Sequence, residues 1–185
     1  MAALPLGAED RPGPFEWQDL DGGVHRSEDL AGHITALVFV SSHCPVAVAY
    51  GPRLKQLVAR FEPKGVRFLF LVPNGNETSA ELREYSRRAQ LTYPLYRDTD
   101  ATIAAKLGVE ATPEVRVLDR DGLVRYRGAI DDAQNPARVK VKGLEWALED
   151  LLAGRTVSRP ETKAFGCTIK RRRTDDSNRR ALEEL

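Results

Sequence analysis

Two nearly unbroken apolar runs, "HITALVFVSS" from His33 and "GVRFLFLVPN" from Gly65, constrain this chain more than any other feature. Both are rich in β-branched and aromatic residues and lack polar alternation, the pattern of a strand buried on both faces of a sheet. Between them Val48, Leu54, Leu57, Val58 and Phe61 recur at helical spacing, starting from Pro45. Pro45 fits a first helical turn, and Gly51-Pro52 predicts a kink. Strand, helix and strand in this order form a βαβ unit, so the two strands are expected to be parallel with a right-handed crossover.

The flanking segments extend that frame. "FEWQDLDGGVHRSEDLAGH" reads as an N-terminal β-hairpin around Asp21-Gly22-Gly23, with Ser27 as a cap after it. "TSAELREYSRRAQL" reads as a helix with Thr78 and Glu81 at capping-box spacing. "YPLYRD" is a short extended piece, and "DTDATIAAKLG" a helix opened by Asp98 or Asp100 and closed by Gly108. "EVRVLDRDGLVRYRG" is a hairpin about Asp121-Gly122, and "VKGLEWALEDLLAG" a closing amphipathic helix. With 185 residues, 42% of them hydrophobic, the chain can bury one sizeable core, which places a single α/β domain over residues 1–154. Beyond Gly154 few apolar positions recur. Residues 155–185 are therefore expected to form an extended arm that lies over the domain rather than extending its core, ending in a basic tail.

Charge and motif content narrow the partners. Lys and Arg number 28 against 27 Asp and Glu, so no net field draws the chain to nucleic acid, and "KRRR" at 170–173 is diluted by the acidic residues after it. "ITALVFV" is too short to span a bilayer, and "MAALPLGAEDRPGP" lacks a basic and then apolar leader pattern, so the expectation is a cytoplasmic protein with no membrane partner. No G-x-G-x-x-G or P-loop is present, no organic cofactor is expected, and no Cys/His spacing suggests a zinc site.

Cys44 is the residue that points to chemistry. It stands just past the end of the first buried run and immediately before a helix, where unpaired backbone N–H groups and the positive end of the helix dipole favour a thiolate. The opposing reading is an inert buried thiol. His43 either adds a positive charge beside it or turns into solvent. Arg125 and Arg127 share a strand face and either hold an anionic or peroxide-bearing substrate or are simply solvated. Asp131-Asp132 either line the site or form an acidic turn.

The order of elements, the thiol between the first core strand and a proline-kinked helix, and "ATPEVRVLD" resemble the thioredoxin fold, whose third core strand opens with a Thr-cisPro pair. Taken with "SSHCP", "KGVRFLFLVPN", "TPEVRVLDRDGLVRYRGAIDD" and "GCTIK", the chain resembles redoxin-like proteins of the AhpC/TSA and thiol-disulfide oxidoreductase superfamily, in a group with a C-terminal Gly-Cys-(Ser/Thr)-Ile-Lys motif. The resemblance implies a central mixed sheet flanked by helices and a cis Thr112–Pro113 bond. It implies Cys44 as nucleophile on disulfide or peroxide substrates, with an external thiol as reductant. On the resemblance, Thr112 and Pro113 would offer a backbone edge to substrate; His43, from its place beside Cys44, and Arg127, from its strand face, are further candidate substrate contacts.

The departures from that pattern are specific. Ala47 stands where thioredoxins carry a second cysteine, Ala111 stands where some of the group carry one, and Leu37 stands where thiol peroxidases carry proline, although Ser41 fits their hydroxyl position. Cys167 is left as the one internal partner for Cys44, either as the resolving cysteine of an intramolecular disulfide or as part of a structural tail. Two other readings stay open: a thioredoxin-fold module holding copper through Cys44 with Cys167 or His43, and a redox-inert interaction domain.

Overall fold

The computed structural model describes residues 11–171. The chain opens with an antiparallel hairpin, β1 (Glu16–Gln18) and β2 (Val24–Arg26), turned by Asp19, whose carboxylate accepts from the Asp21 and Gly23 amides at 2.9 and 2.8 Å. A 3-10 turn over Ser27–Leu30 follows. Ser27 does not cap it: the Asp29 carboxylate takes the Arg26 amide, while the Ser27 hydroxyl takes the Phe15 amide and ties the hairpin base together.

The two apolar runs become β3 (Thr35–Phe39) and β4 (Arg67–Val72), paired in parallel from Thr35 opposite Arg67 to Phe39 opposite Leu71. Between them lie α1 (Pro45–Ala49) and α2 (Gly51–Phe61), broken at Tyr50 where Gly51-Pro52 interrupts the run. The buried positions Ala47, Tyr50, Leu54, Val58 and Phe61 keep one helical stripe through the break, and Val48, expected on the packed face, lies off that stripe and stands 39% exposed. Thr78 and Glu81 cap α3 (Ser79–Arg88) reciprocally, with the Glu81 amide 3.2 Å from the Thr78 hydroxyl and the Thr78 amide 2.7 Å from the Glu81 carboxylate.

β5 (Leu95–Arg97) pairs in parallel with β4, and α4 (Thr102–Lys106) follows. Asp98, not Asp100, anchors that helix, its carboxylate accepting from the Ile103 and Ala104 amides at 2.8 Å each. After β6 (Ala111–Thr112) come β7 (Glu114–Leu118) and β8 (Val124–Gly128), an antiparallel hairpin whose first strand runs antiparallel to β3. The sheet order is β2-β1-β5-β4-β3-β7-β8, a mixed sheet with β3 and β4 inside it. α5 (Gly143–Leu152) closes the domain, and β9 (Cys167–Thr168) pairs with β6 as a separate two-stranded ribbon.

Alternation along the central strands divides the core in two. Ala36, Val38, Phe70, Val72, Val115 and Val117 face a layer built with Leu54, Val58, Phe61, Leu144 and Leu148 from α2 and α5. Leu37, Phe39, Leu69 and Leu71 face a layer with Phe15, Trp17, Ile103 and Val109. Every residue of β3 is buried, as its unbroken apolar run requires.

The arm corrects one expectation. It adds to the core instead of only lying over it: Val157 joins the first layer and Ile169, 8% exposed, joins the second. Its start is pinned by Asp150, whose carboxylate accepts from the Ser158 amide and hydroxyl at 2.8 Å each. Its middle runs beside β8, with the Arg127 amide donating to Pro160 and the Thr162 amide to Arg127, each at 2.9 Å. Gly128 admits this approach because a Cβ there would strike the Thr162 backbone. The basic run past Arg171 lies outside the described residues.

Candidate active site

The turn from β3 into α1 carries Cys44, the candidate nucleophile. Cys44 caps α1 with extended backbone, φ −98° and ψ 111°, while Pro45 takes the first helical position where no N–H is needed. The Cys44 sulfur accepts from the Ala47 amide at 3.5 Å and lies 3.1 Å from the Thr112 carbonyl oxygen. Only 1% of the residue is exposed. As a disulfide the sulfur has no proton for that carbonyl, so the contact becomes a hydrogen bond only when the thiol is regenerated.

Cys44 and Cys167 form a disulfide, with Cα atoms 5.8 Å apart and a sequence separation of 123. The separation is within the range such a bond needs. Cys167 arrives on a strand: β9 runs antiparallel to β6, Ala111 opposite Thr168 and Thr112 opposite Cys167, and the Ile169 amide adds a bond to the Glu110 carbonyl at 3.0 Å. The Thr112–Pro113 bond between β6 and β7 is cis. Gly166 lets the arm come this close, since any Cβ there would collide with the Thr112 carbonyl and crowd Pro113 Cδ. The backbone edge at Thr112 is thus filled by the chain's own arm.

Two buried polar clusters hold these pieces. Arg116 lies inside the sheet, its guanidinium donating to the Leu107, Gly108 and Val115 carbonyls at 2.9–3.0 Å and pairing with Glu114 at 2.8 Å. Glu114 in turn accepts from the Glu110 and Ala111 amides, fixing the edge that β9 uses. Below the Cys44 turn, the Glu77 carboxylate accepts from the Ser41 hydroxyl at 2.6 Å, the Ser42 amide at 2.8 Å and hydroxyl at 2.5 Å, and Asn74 at 2.8 Å. Asn74 also donates to the Ser41 hydroxyl at 2.9 Å and accepts from the Lys170 amide at 2.8 Å, so it touches both the turn and the arm.

Ser41 is consequently saturated. Its one proton goes to Glu77, and its oxygen accepts from the His43 amide at 3.1 Å and from Asn74. His43 leans away from the sulfurs, its Nε2 3.9 Å from the Glu81 carboxylate, beside an open groove with Val48 and Tyr85. Arg127 pairs with Arg116 in the sheet register, level with Leu37 rather than with the Cys44 turn, and its backbone serves the arm; the structure does not bring it to the sulfurs. Arg125 binds Asp119 at 2.5 Å. Asp131 has a supporting place that a simple acidic turn would not explain: it accepts from Tyr50 at 2.6 Å and pairs with Arg53, bracing the joint between α1 and α2. Burial, followed by that hydrogen bond, holds the Tyr50 hydroxyl well above its ordinary pKa, and the ring packs 6.2 Å from Phe165 in the arm.

Among the described residues no group of three or more His, Cys, Asp or Glu side chains is gathered for a metal, and no helix is long and apolar enough to cross a membrane. The sequence reading missed Asn74, Glu77, Glu114 and Arg116. The sequence signal that existed was weak: Glu114 and Arg116 interrupt an otherwise buried strand, and "PNGNE" follows β4 without any capping pattern of its own.

Several known proteins are similar to this chain. The thiol-disulfide oxidoreductase ResA of Geobacillus thermodenitrificans is 26% identical over 111 residues, 60% of this chain and 63% of that protein, so the chain spans a little under two thirds of the curated relatives it matches. A conserved protein of Geobacillus kaustophilus superposes with a TM-score of 0.81 at 28% identity, over 93% of this chain and 95% of that one. The exposed lipoprotein thioredoxin Etrx1 of Streptococcus pneumoniae gives a TM-score of 0.59 at 19% identity, over 75% of this chain and all of that one, which establishes a thioredoxin-like fold. The AhpC/TSA family model matches residues 9–127, from ahead of the N-terminal hairpin into β8 and across both Cys44 and the Thr112–Pro113 bend, and the chain belongs to the AhpC/TSA family.

Proposed function

We propose that this protein is a thiol-disulfide oxidoreductase whose working couple is Cys44 and Cys167. The observation that carries the reading is the pairing itself: a cysteine capping a helix, joined to a cysteine that a short strand delivers along the Thr112 edge. In the reduced protein the Cys44 thiolate attacks one sulfur of a disulfide substrate, forming a mixed disulfide and releasing the other half as a thiolate. Cys167 then attacks the Cys44 sulfur, the substrate leaves as its second thiol, and the internal disulfide remains. An external thiol reductant returns the couple to the reduced state, and no organic cofactor enters.

Peroxide is the second substrate class. There Cys44 would become a sulfenic acid with release of an alcohol or water, and Cys167 would condense with it, expelling water. The saturated Ser41 hydroxyl favours the disulfide reaction, because it has no free valence to orient a peroxide. The position of His43, which turns toward Glu81, disfavours copper held by Cys44 with His43, and leaves the Cys44–Cys167 pair as the alternative soft-metal site. Within the family, Gly166-Cys167-Thr168-Ile169-Lys170 supports membership in the group with the Gly-Cys-(Ser/Thr)-Ile-Lys motif. A cytoplasmic setting goes with this reading, since disulfides of reducing compartments are chiefly transient and catalytic.

The test is turnover of a small aromatic disulfide with a dithiol reductant. Cys44→Ser is expected to abolish turnover. Cys167→Ser is expected to slow turnover, because the Cys44 mixed disulfide then waits for attack by the external dithiol, and to expose Cys44 to sulfinic over-oxidation under peroxide. Undiminished turnover in Cys44→Ser would overturn the proposal.

A further inference from the structure

The arm occupies the Thr112 edge in the way a bound polypeptide would, and the contacts along it differ sharply by position. Resting on the oxidoreductase reading above, we infer that the site selects cysteine-bearing polypeptide segments of the form Gly-Cys-x-aliphatic, with the arm as the built-in occupant of a site that substrates share.

Four features give the pattern. Before the cysteine, position 166 has no room for a Cβ, because the Thr112 carbonyl and Pro113 Cδ fill the space. At the cysteine, antiparallel pairing with Thr112 sets the sulfur against Cys44. The next side chain, Thr168, is exposed and therefore unread. Two positions after the cysteine, Ile169 is buried in the layer that contains Phe39, Leu71 and Val109, so an aliphatic side chain is required there. At Lys170 only main chain is held: its amide donates to Asn74 at 2.8 Å and its carbonyl accepts from Gly75 at 2.9 Å, while its side chain is in solvent. Backbone bonds supply the docking and positions 166 and 169 supply the choice next to the sulfur, with Phe165 packed on Tyr50 as a further apolar contact common to all the probes below.

The experiment uses full-length Cys167→Ser protein, so Cys44 is the sole thiol and the arm competes equally with every probe. The probes are peptides of residues 163–171 whose cysteine is activated as a pyridyl disulfide. Cys44 thiolate attacks the peptide sulfur, the bond to the pyridyl sulfur breaks, and pyridinethione is released and read by absorbance. The unaltered peptide is expected to react about tenfold or more faster than the Gly166→Ala peptide and the Ile169→Ala peptide, and within about twofold of the Thr168→Ala peptide. Equal rates for all four peptides would overturn the inference while leaving the proposed function standing, provided a small pyridyl disulfide reacts at Cys44. If the small disulfide also fails to react, the function and the inference fall together.

Discussion

Replacing Glu77 by Gln tests whether the buried carboxylate under the Cys44 turn is what holds that turn. One oxygen accepts from Ser41 and Asn74 and the other accepts from the Ser42 amide and hydroxyl, so all four partners are donors converging on an acceptor-only group. A glutamine keeps one oxygen and puts an NH2 in place of the other. Whichever way it flips, two donors then face two donors. Hydrogen bonds to a charged group contribute about 1.5–3 kcal/mol each, so the gross loss is about 3–6 kcal/mol. Rotation of one serine hydroxyl to accept would recover part of this, leaving a net loss of roughly 2–4 kcal/mol. That is a large share of the roughly 5–15 kcal/mol by which a domain is usually stable. Equilibrium urea unfolding of the oxidised protein and the variant measures it directly, and a Ser42→Ala cycle apportions the pair. A loss below about 1 kcal/mol would refute the reasoning, because it would mean that the cluster is replaced by water at little cost.

Two further outcomes follow from the arm. Gly166→Ala in the full chain, which forces a Cβ against Thr112 and Pro113, should cost the docked arm about 1–3 kcal/mol and raise the midpoint potential of the Cys44–Cys167 couple by about 20–65 mV in a thiol redox buffer; an unchanged midpoint would contradict the close approach. Hydrogen bonds from the Ser158 amide, Arg155 and the Ser158 hydroxyl lower the Asp150 pKa from 3.8, so its contribution to stability is complete above the unfolded value and is lost as pH falls through the depressed folded value. Asp150→Asn should therefore flatten the dependence of the urea midpoint on pH below about 4, and an identical profile would remove Asp150 as the anchor of the arm.

The framework was legible because its signals are local. The unbroken runs at β3 and β4, Pro45 and Gly51-Pro52 around the helix break, and the Thr78–Glu81 cap all operate within a few residues, and each formed where its pattern placed it. The course of the arm was less legible because its two core residues, Val157 and Ile169, are isolated apolar positions without a period. Val48 is exposed because the buried stripe runs through its neighbour Ala47 to Tyr50 and Leu54, and an apolar side chain one position off that stripe turns to solvent. Glu77 and Asn74 were invisible for a different reason. The Glu77 carboxylate takes its four donors from β3's exit and from Asn74, which in turn accepts from the arm at Lys170, and no single window of sequence contains all three segments.

The attachment of Thr162 has a consequence for competition among thiols. Thr162 is fixed by the Arg127 carbonyl, by Tyr126 at 2.6 Å and by the Ala129 amide at 3.0 Å, and none of these bonds involves a sulfur. If the segment beyond it comes free, Cys167 is still tethered five residues from that anchor, which gives a reach of about 17 Å. One thiol confined to a sphere of that radius has an effective concentration on the order of tens of millimolar. A monothiol in solution must approach that level, or bind with an orientation of its own, before it can take Cys44 ahead of the tethered partner.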